Sequence, residues 1–158
     1  MSESQEPVFS SAELRTLAAV LDVIVPPSSD GQLPGAGELG LAAAVVEAAR
    51  QNPLLRPAVA QGLAAIEAVA RDRGLASFPA ASAAARTEIV KSATGDAAQL
   101  VPALLFPIYI AYYQHPRVLE GLGREARPPF PKGYAMAPFD PALLEPVRKR
   151  KRPLFRDC

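Results

Sequence analysis

Apolar residues near the start of the chain recur every three or four positions, which is the spacing of one face of an α-helix. Ser10, followed three residues later by Glu13, forms a capping box that predicts where this helix begins. Pro26 and Pro27 predict where it ends, because proline cannot continue a helix. We therefore predict one amphipathic helix, whose inward positions are Leu14, Leu17, Ala18, Leu21 and Ile24.

Four further helices are predicted after a loop at residues 28–37 that is rich in Gly, Pro and Ser. Their expected spans are residues 38–50, 55–73, 81–93 and a fifth helix from about residue 96, followed by a short turn at 116–122. Pro107 should kink or split the fifth helix. Tyr109 in the fifth helix is expected to lie among apolar neighbours, as is Leu17 in the first. No strand pattern of useful length is present, so the sequence predicts an all-α bundle of about five helices.

Helical periodicity disappears after Arg124. Eight prolines between residues 116 and 158 exclude a long helix there, and only Asp140, as a cap before Pro141, predicts one short turn. The sequence thus predicts a flexible N-terminus at residues 1–8, a helical body at 9–123 and an extended Pro-rich arm at 124–158.

The charge of the chain supports this division. Residues 1–115 hold seven Lys/Arg and eleven Asp/Glu, a net charge of −4, whereas residues 116–158 hold ten and five, a net charge of +5. The arm also carries large apolar side chains that a disordered tail seldom holds, and these should pack either on the body or on another chain. We predict that the partner-binding residues are Phe130, Tyr134, Phe139, Arg148, Lys149, Arg150, Lys151, Arg152 and Phe155.

Few residues suited to catalysis or metal binding occur in the chain. His115 is the only histidine and Cys158 the only cysteine, so neither a two-histidine metal site nor an internal disulfide can form. His115 is expected to interact with carbonyl groups at a helix end, Asp22 to cap a helix or face a partner, and Glu67 and Asp72 to lie on solvated faces. The glycines at 31, 35, 37 and 40 match no phosphate-binding pattern. We therefore expect no catalytic residues, no metal and no cofactor on this chain.

Residues 97–115 form an uncharged stretch of nineteen residues, which raises the question of a membrane span. Pro102, Pro107 and the lack of close basic flanks favour a core helix instead. The acidic N-terminal segment does not have the pattern of a signal peptide or a twin-arginine signal. We therefore expect a cytoplasmic chain, periplasmic only if the signal of a partner carries it there.

The segment from Phe9 to Glu38 has a distinctive order of motifs. Asp22 and Pro26 end the first helix, and a loop leads to Pro34-Gly35-Ala36-Gly37-Glu38 before an alanine-rich helix. This order resembles the gluconate 2-dehydrogenase subunit 3 family, in which a helix end with Asp, Ile and Pro precedes a Pro-Gly-Ala-x-Glu element. The resemblance covers residues 9–50 well, and the later helices correspond in order and length.

The resemblance implies a function that fits the lack of catalytic residues. Family members are small, non-catalytic subunits of heteromeric dehydrogenases that act on sugars or polyols. FAD and the catalytic residues belong to a large subunit of the glucose-methanol-choline (GMC) oxidoreductase type, and the small subunit supports its folding, stability or export in a chaperone-like way. The alternative is a stand-alone helical regulator that binds nucleic acid or an anionic surface through residues 148–152.

Overall fold

The computed structural model of the protein describes residues 7–127, 133 and 136–150. The chain divides into two compact units, Met1–Arg127 and Pro128–Cys158. Within the described residues all regular secondary structure is helical, which confirms the predicted all-α class. The first unit contains α1 (Ser11–Ile24), α2 (Ala42–Gln51), α3 (Leu55–Asp72), α4 (Ala83–Lys91), α5 (Asp96–Gln114) and α6 (Pro116–Gly121). The second contains a 3₁₀ turn (Pro141–Leu144) and the short α7 (Glu145–Arg148).

Helix α1 begins and ends where its local sequence signals predict. The hydroxyl of Ser10 accepts a hydrogen bond from the backbone N–H of Glu13 at 3.2 Å, and the Glu13 carboxylate accepts one from the N–H of Ser10 at 2.7 Å. The inward face is rotated from the predicted one, because Ala18 and Ile24 are only partly buried while Val20 is fully buried. The buried residues of α1 are Thr16, Leu17, Ala19, Val20 and Leu21.

Helices α2 and α4 are shorter than predicted. The turn before α2 is closed by backbone hydrogen bonds from Leu39 to Gly35 and from Gly40 to Gly37, so α2 begins at Ala42 rather than at residue 38. Gly40 has a φ of +68°, which a right-handed helix cannot contain. In α4, the Ser82 hydroxyl accepts from the N–H of Ala85 at 3.2 Å, which sets the helix start at residue 83.

Helix α5 runs for 19 residues through both Pro102 and Pro107, so the predicted split at Pro107 is not observed. Proline removes one intrahelical hydrogen bond and costs about 3 kcal/mol in a helix interior. Three fully buried side chains offset this cost, since each contributes roughly 1.5–3 kcal/mol. These are Leu100, Leu104 and Ile108.

The core of the first unit lies where α5 packs closely against α3. Gly62 on α3 makes this approach possible, because a Cβ atom there would lie 2.7 Å from the Cβ of Leu100. Phe78, in the loop between α3 and α4, is fully buried and belongs to the same core. The segment predicted to be a turn after α5 is instead the helix α6, and it buries Val118.

Candidate partner-binding surface

The two motifs that carry the family resemblance contact each other at the junction between α1 and α2. The Asp22 carboxylate on α1 accepts a hydrogen bond from the backbone N–H of Gly37 at 2.8 Å. A Cβ atom at Gly37 would lie 2.5 Å from the carbonyl oxygen of Ala18, and one at Gly35 would lie 2.7 Å from the carboxylate of Asp22. Both glycines are therefore needed for the close approach of the loop to α1. Asp22 holds this loop, which differs from its predicted capping or partner-facing role.

Glu67 was expected on a solvated helix face, and the structure corrects this. One of its carboxylate oxygens accepts from the hydroxyl of Thr16 at 2.5 Å, and the other accepts from the backbone N–H of Phe78 at 3.1 Å. Glu67 thus connects α3 to α1 and to the loop that buries Phe78. Asp72, by contrast, is exposed as predicted.

His115 lies between α5 and α6, where its ring has a structural partner. Its Nδ1 accepts a hydrogen bond from the backbone N–H of Arg117 at 3.3 Å and so caps the start of α6. The predicted interaction with carbonyl groups is therefore replaced by one with an amide, because the ring faces the start of α6 rather than the end of α5. In residues 7–127, 133 and 136–150, no three side chains of His, Cys, Asp or Glu are grouped so that they could hold a metal ion.

The predicted partner-binding residues of the arm are described only in part. Phe139 is 64% exposed. Arg148, the last residue of α7, and Lys149, which follows it, are exposed, with nitrogens 3.6 Å and 3.7 Å from the carboxylate of Glu145, and Arg150 is also exposed. The remaining predicted residues, Phe130, Tyr134, Lys151, Arg152 and Phe155, lie outside the described residues.

The turn predicted within the arm is confirmed by its cap. The Asp140 carboxylate accepts from the backbone N–H of Ala142 at 2.9 Å, and Pro141 occupies the first turn of the 3₁₀ helix that follows. This local structure orders the segment between Phe139 and Arg148.

Sequence reasoning missed an apolar surface on α5, the outward face formed by Phe106, Tyr109, Ile110 and Tyr113, here called the α5 face. These side chains are 77%, 43%, 44% and 54% exposed, respectively. Their spacing of three and four residues places them on one side of the helix. The prediction that Tyr109 is buried is therefore wrong, because Tyr109 belongs to the outer side of α5.

The opposite side of α5 fixes the α5 face in place. The Tyr112 hydroxyl, which is buried, donates a hydrogen bond to the carbonyl oxygen of Pro34 at 2.9 Å. Burial raises the pKa of the Tyr112 phenol above its usual value, and the neighbouring Tyr113 adds to this rise. The ring of Tyr113 meets that of Tyr112 edge-on at 5.3 Å and lies 6.1 Å from that of Tyr109. The buried ring of Tyr112 thus orients the exposed ring of Tyr113, which lies near that of Tyr109.

One sequence signal could have revealed the α5 face. Residues 97–115 are apolar on every side of the predicted helix, whereas a helix on the surface of a bundle normally buries a single apolar stripe. The excess of large apolar residues predicts either full burial or an exposed binding face, and periodicity cannot distinguish them. In the tertiary structure, one side of α5 is exposed.

None of the helices in the described part of the chain is by itself long and apolar enough to span a membrane. Helices α4 and α5 meet the criteria of length and composition only when taken together, and they are bent by 106° at the break between them.

Comparison with known proteins identifies the family of the chain. The family model described as "Gluconate 2-dehydrogenase subunit 3" matches residues 11–127. No curated protein and no solved structure matches the chain. The matched region begins with α1, includes the junction of Asp22 with the glycine loop and the whole of α5, and ends at the last residue of the first unit. This chain belongs to the gluconate 2-dehydrogenase subunit 3 family.

Proposed function

We propose that the chain is a non-catalytic subunit that binds and stabilises a larger flavin-dependent dehydrogenase subunit of the GMC type. The observation that carries this proposal is the family match, which covers residues 11–127 and names a dehydrogenase subunit. In the proposed complex the large subunit holds FAD and oxidises a sugar or polyol, and this chain contributes no catalytic group.

The roles of the polar side chains in the body support an accessory function. Asp22 holds the loop at Gly37, Glu67 joins three elements, and His115 caps α6. Each of these groups already has a hydrogen-bonding partner that maintains the fold.

The exposed α5 face supports a partner-binding function. Contiguous exposed apolar patches on a folded protein mark interaction sites, and aromatic residues are enriched in the centres of protein interfaces. The arm adds a second proposed contact. There Phe130, Tyr134, Phe139 and Phe155 would anchor on the large subunit, and residues 148–152 would lie beside acidic groups of that subunit.

Co-expression of the tagged chain with a GMC-type flavoprotein subunit from the same genome tests the proposal. We expect the two proteins to elute together with flavin absorbance, and the isolated chain to be colourless after desalting and without dehydrogenase activity. A chain that alone retains flavin or oxidises gluconate would contradict the proposal, as would separate elution of the two proteins. A colourless chain that binds DNA with a steep salt dependence would support the alternative regulator.

A further inference from the structure

We propose that the α5 face, and not the arm, is the principal docking surface for the large dehydrogenase subunit. This inference rests on the proposed function and specifies which part of the chain performs it. The face consists of Phe106, Tyr109, Ile110 and Tyr113, and its partner would be an uncharged apolar surface with hydrogen-bonding groups for the two tyrosine hydroxyls.

The α5 face is held rigidly before binding. The helix is held from behind by fully buried Leu100, Leu104 and Ile108, and the Tyr112 hydroxyl anchors its last turns to Pro34. Ring contacts with Tyr112 and Tyr109 orient Tyr113. A surface ordered in this way loses little conformational entropy on association, so more of its contact energy remains as affinity.

The limits of the family match separate the α5 face from most of the arm. The match includes all of α5 and ends at Arg127, whereas residues 128–158 of the arm lie beyond it. If members of the family share a way of binding a dehydrogenase subunit, the shared surface should lie within the matched residues. This favours the α5 face over Phe139 and the basic residues 148–150.

The area of the α5 face is too small for a stable dimer of this chain that meets through this face alone. Large aromatic side chains bury roughly 150–250 Å² each when fully covered, so the partly exposed α5 face offers on the order of 400 Å². Stable interfaces bury about 800 Å² on each partner. Two copies that meet through this face alone would fall well short of that area. A larger subunit can cover the α5 face together with the surface around it.

The charge pattern of α5 does not suit a lipid surface. Helices that lie on membranes carry Lys and Arg on their polar side to bind anionic head groups. No Lys or Arg occurs between Lys91 and Arg117, and the only charged residue of α5 is Asp96 in its first turn. The charge pattern of the α5 face therefore matches the uncharged centre of a protein interface.

Two matched substitutions test the inference on the full chain, co-expressed with the flavoprotein subunit described above. Phe106→Ser, alone and with Tyr113→Ser, removes aromatic groups from the α5 face. Phe139→Ser makes the same chemical change in the arm, at a side chain of similar exposure. We expect the Phe106→Ser/Tyr113→Ser variant to bind the flavoprotein at least tenfold more weakly, because aromatic residues often dominate binding energy. Phe139→Ser removes part of the second proposed contact and should weaken binding by a smaller factor than Phe106→Ser alone.

Each outcome either supports the inference or overturns it. Unchanged circular dichroism and melting temperature of the double variant, together with the loss of binding, would support it. Equal binding by the double variant and the wild type would overturn it, as would a larger loss for Phe139→Ser. The wild type could instead form a homodimer or bind anionic vesicles in a way that the double variant does not. Either result would assign the α5 face to a second copy or to lipid and would also overturn the inference. Failure of the wild-type chain to bind the flavoprotein at all would contradict the proposed function itself.

Discussion

Gly62 shows how a single residue sets the distance between two helices. An alanine Cβ there would lie 2.7 Å from the Cβ of Leu100, which is attached directly to the backbone of α5 and cannot rotate away. Alanine in place of glycine normally stabilises a helix by about 0.5–1 kcal/mol. Overpacking a core costs typically about 1–3 kcal/mol, so the steric effect should exceed the helix propensity.

We therefore predict that Gly62→Ala lowers the free energy of unfolding by about 1–2 kcal/mol, measured by urea denaturation. Gln61→Ala, at the exposed neighbouring position of the same helix, serves as the control and should leave stability nearly unchanged. A Gly62→Ala variant more stable than the wild type would show that α3 and α5 can separate without loss of packing.

Leu17 and Tyr109 differ in burial, and the difference predicts opposite responses to the same substitution. Leu17 is fully buried, so Leu17→Asp should lower the free energy of unfolding by about 3 kcal/mol or more, because it places an unpaired charge in the core. Tyr109 is partly exposed, so Tyr109→Asp should cost less than about 1 kcal/mol. Melting temperatures of the two variants test this. Similar losses for both would mean that the outer side of α5 is covered within the chain.

At the scale of elements, the junction between α1 and α2 is held by one side chain and two glycines. Asp22→Ala removes the hydrogen bond that the Gly37 amide donates, and it should lower the free energy of unfolding by about 1–2 kcal/mol. The bond to a carboxylate is charge-assisted but partly exposed. Gly37→Ala should cost at least as much, since its Cβ would meet the carbonyl of Ala18 at 2.5 Å.

Denaturation curves and hydrogen exchange at the Gly37 amide measure both effects. Asp22→Asn is the matched control, because its amide oxygen can still accept the hydrogen bond, and it should lose less stability than Asp22→Ala. Equal exchange rates for the Gly37 amide in the wild type and in Asp22→Ala would show that the hydrogen bond does not protect this loop.

At the scale of the whole molecule, the first unit should fold without the second. All the buried hydrophobic residues of the described chain lie between Phe9 and Val118, and the first unit extends to Arg127. A chain that ends at Arg127 should therefore keep its helical circular dichroism signal and melt cooperatively. Its melting temperature should lie within a few degrees of that of the full chain. A truncated chain that is unfolded would show that residues 128–158 are needed for the stability of the body.

The sequence by itself predicted the helices whose signals are local. The capping box of Ser10 and Glu13 and the prolines after α1 set the limits of that helix. The predicted start of α2 was wrong because the turn before this helix depends on the positive φ of Gly40. A glycine in a sequence does not reveal its backbone angle.

Only the tertiary structure decided which apolar and charged side chains are covered. The family motifs were visible in the sequence, but the contact of Asp22 with Gly37 and the role of Glu67 depend on residues that are distant along the chain. Tyr109 and Tyr112 are both aromatic residues of one uncharged helix, yet only Tyr112 is buried. Periodicity assigns residues to the sides of a helix, whereas burial depends on whether another element packs there. For this reason the sequence determined the helical class and the family, and the packing of α5 against α3 decided which side of α5 remains exposed as a candidate binding surface.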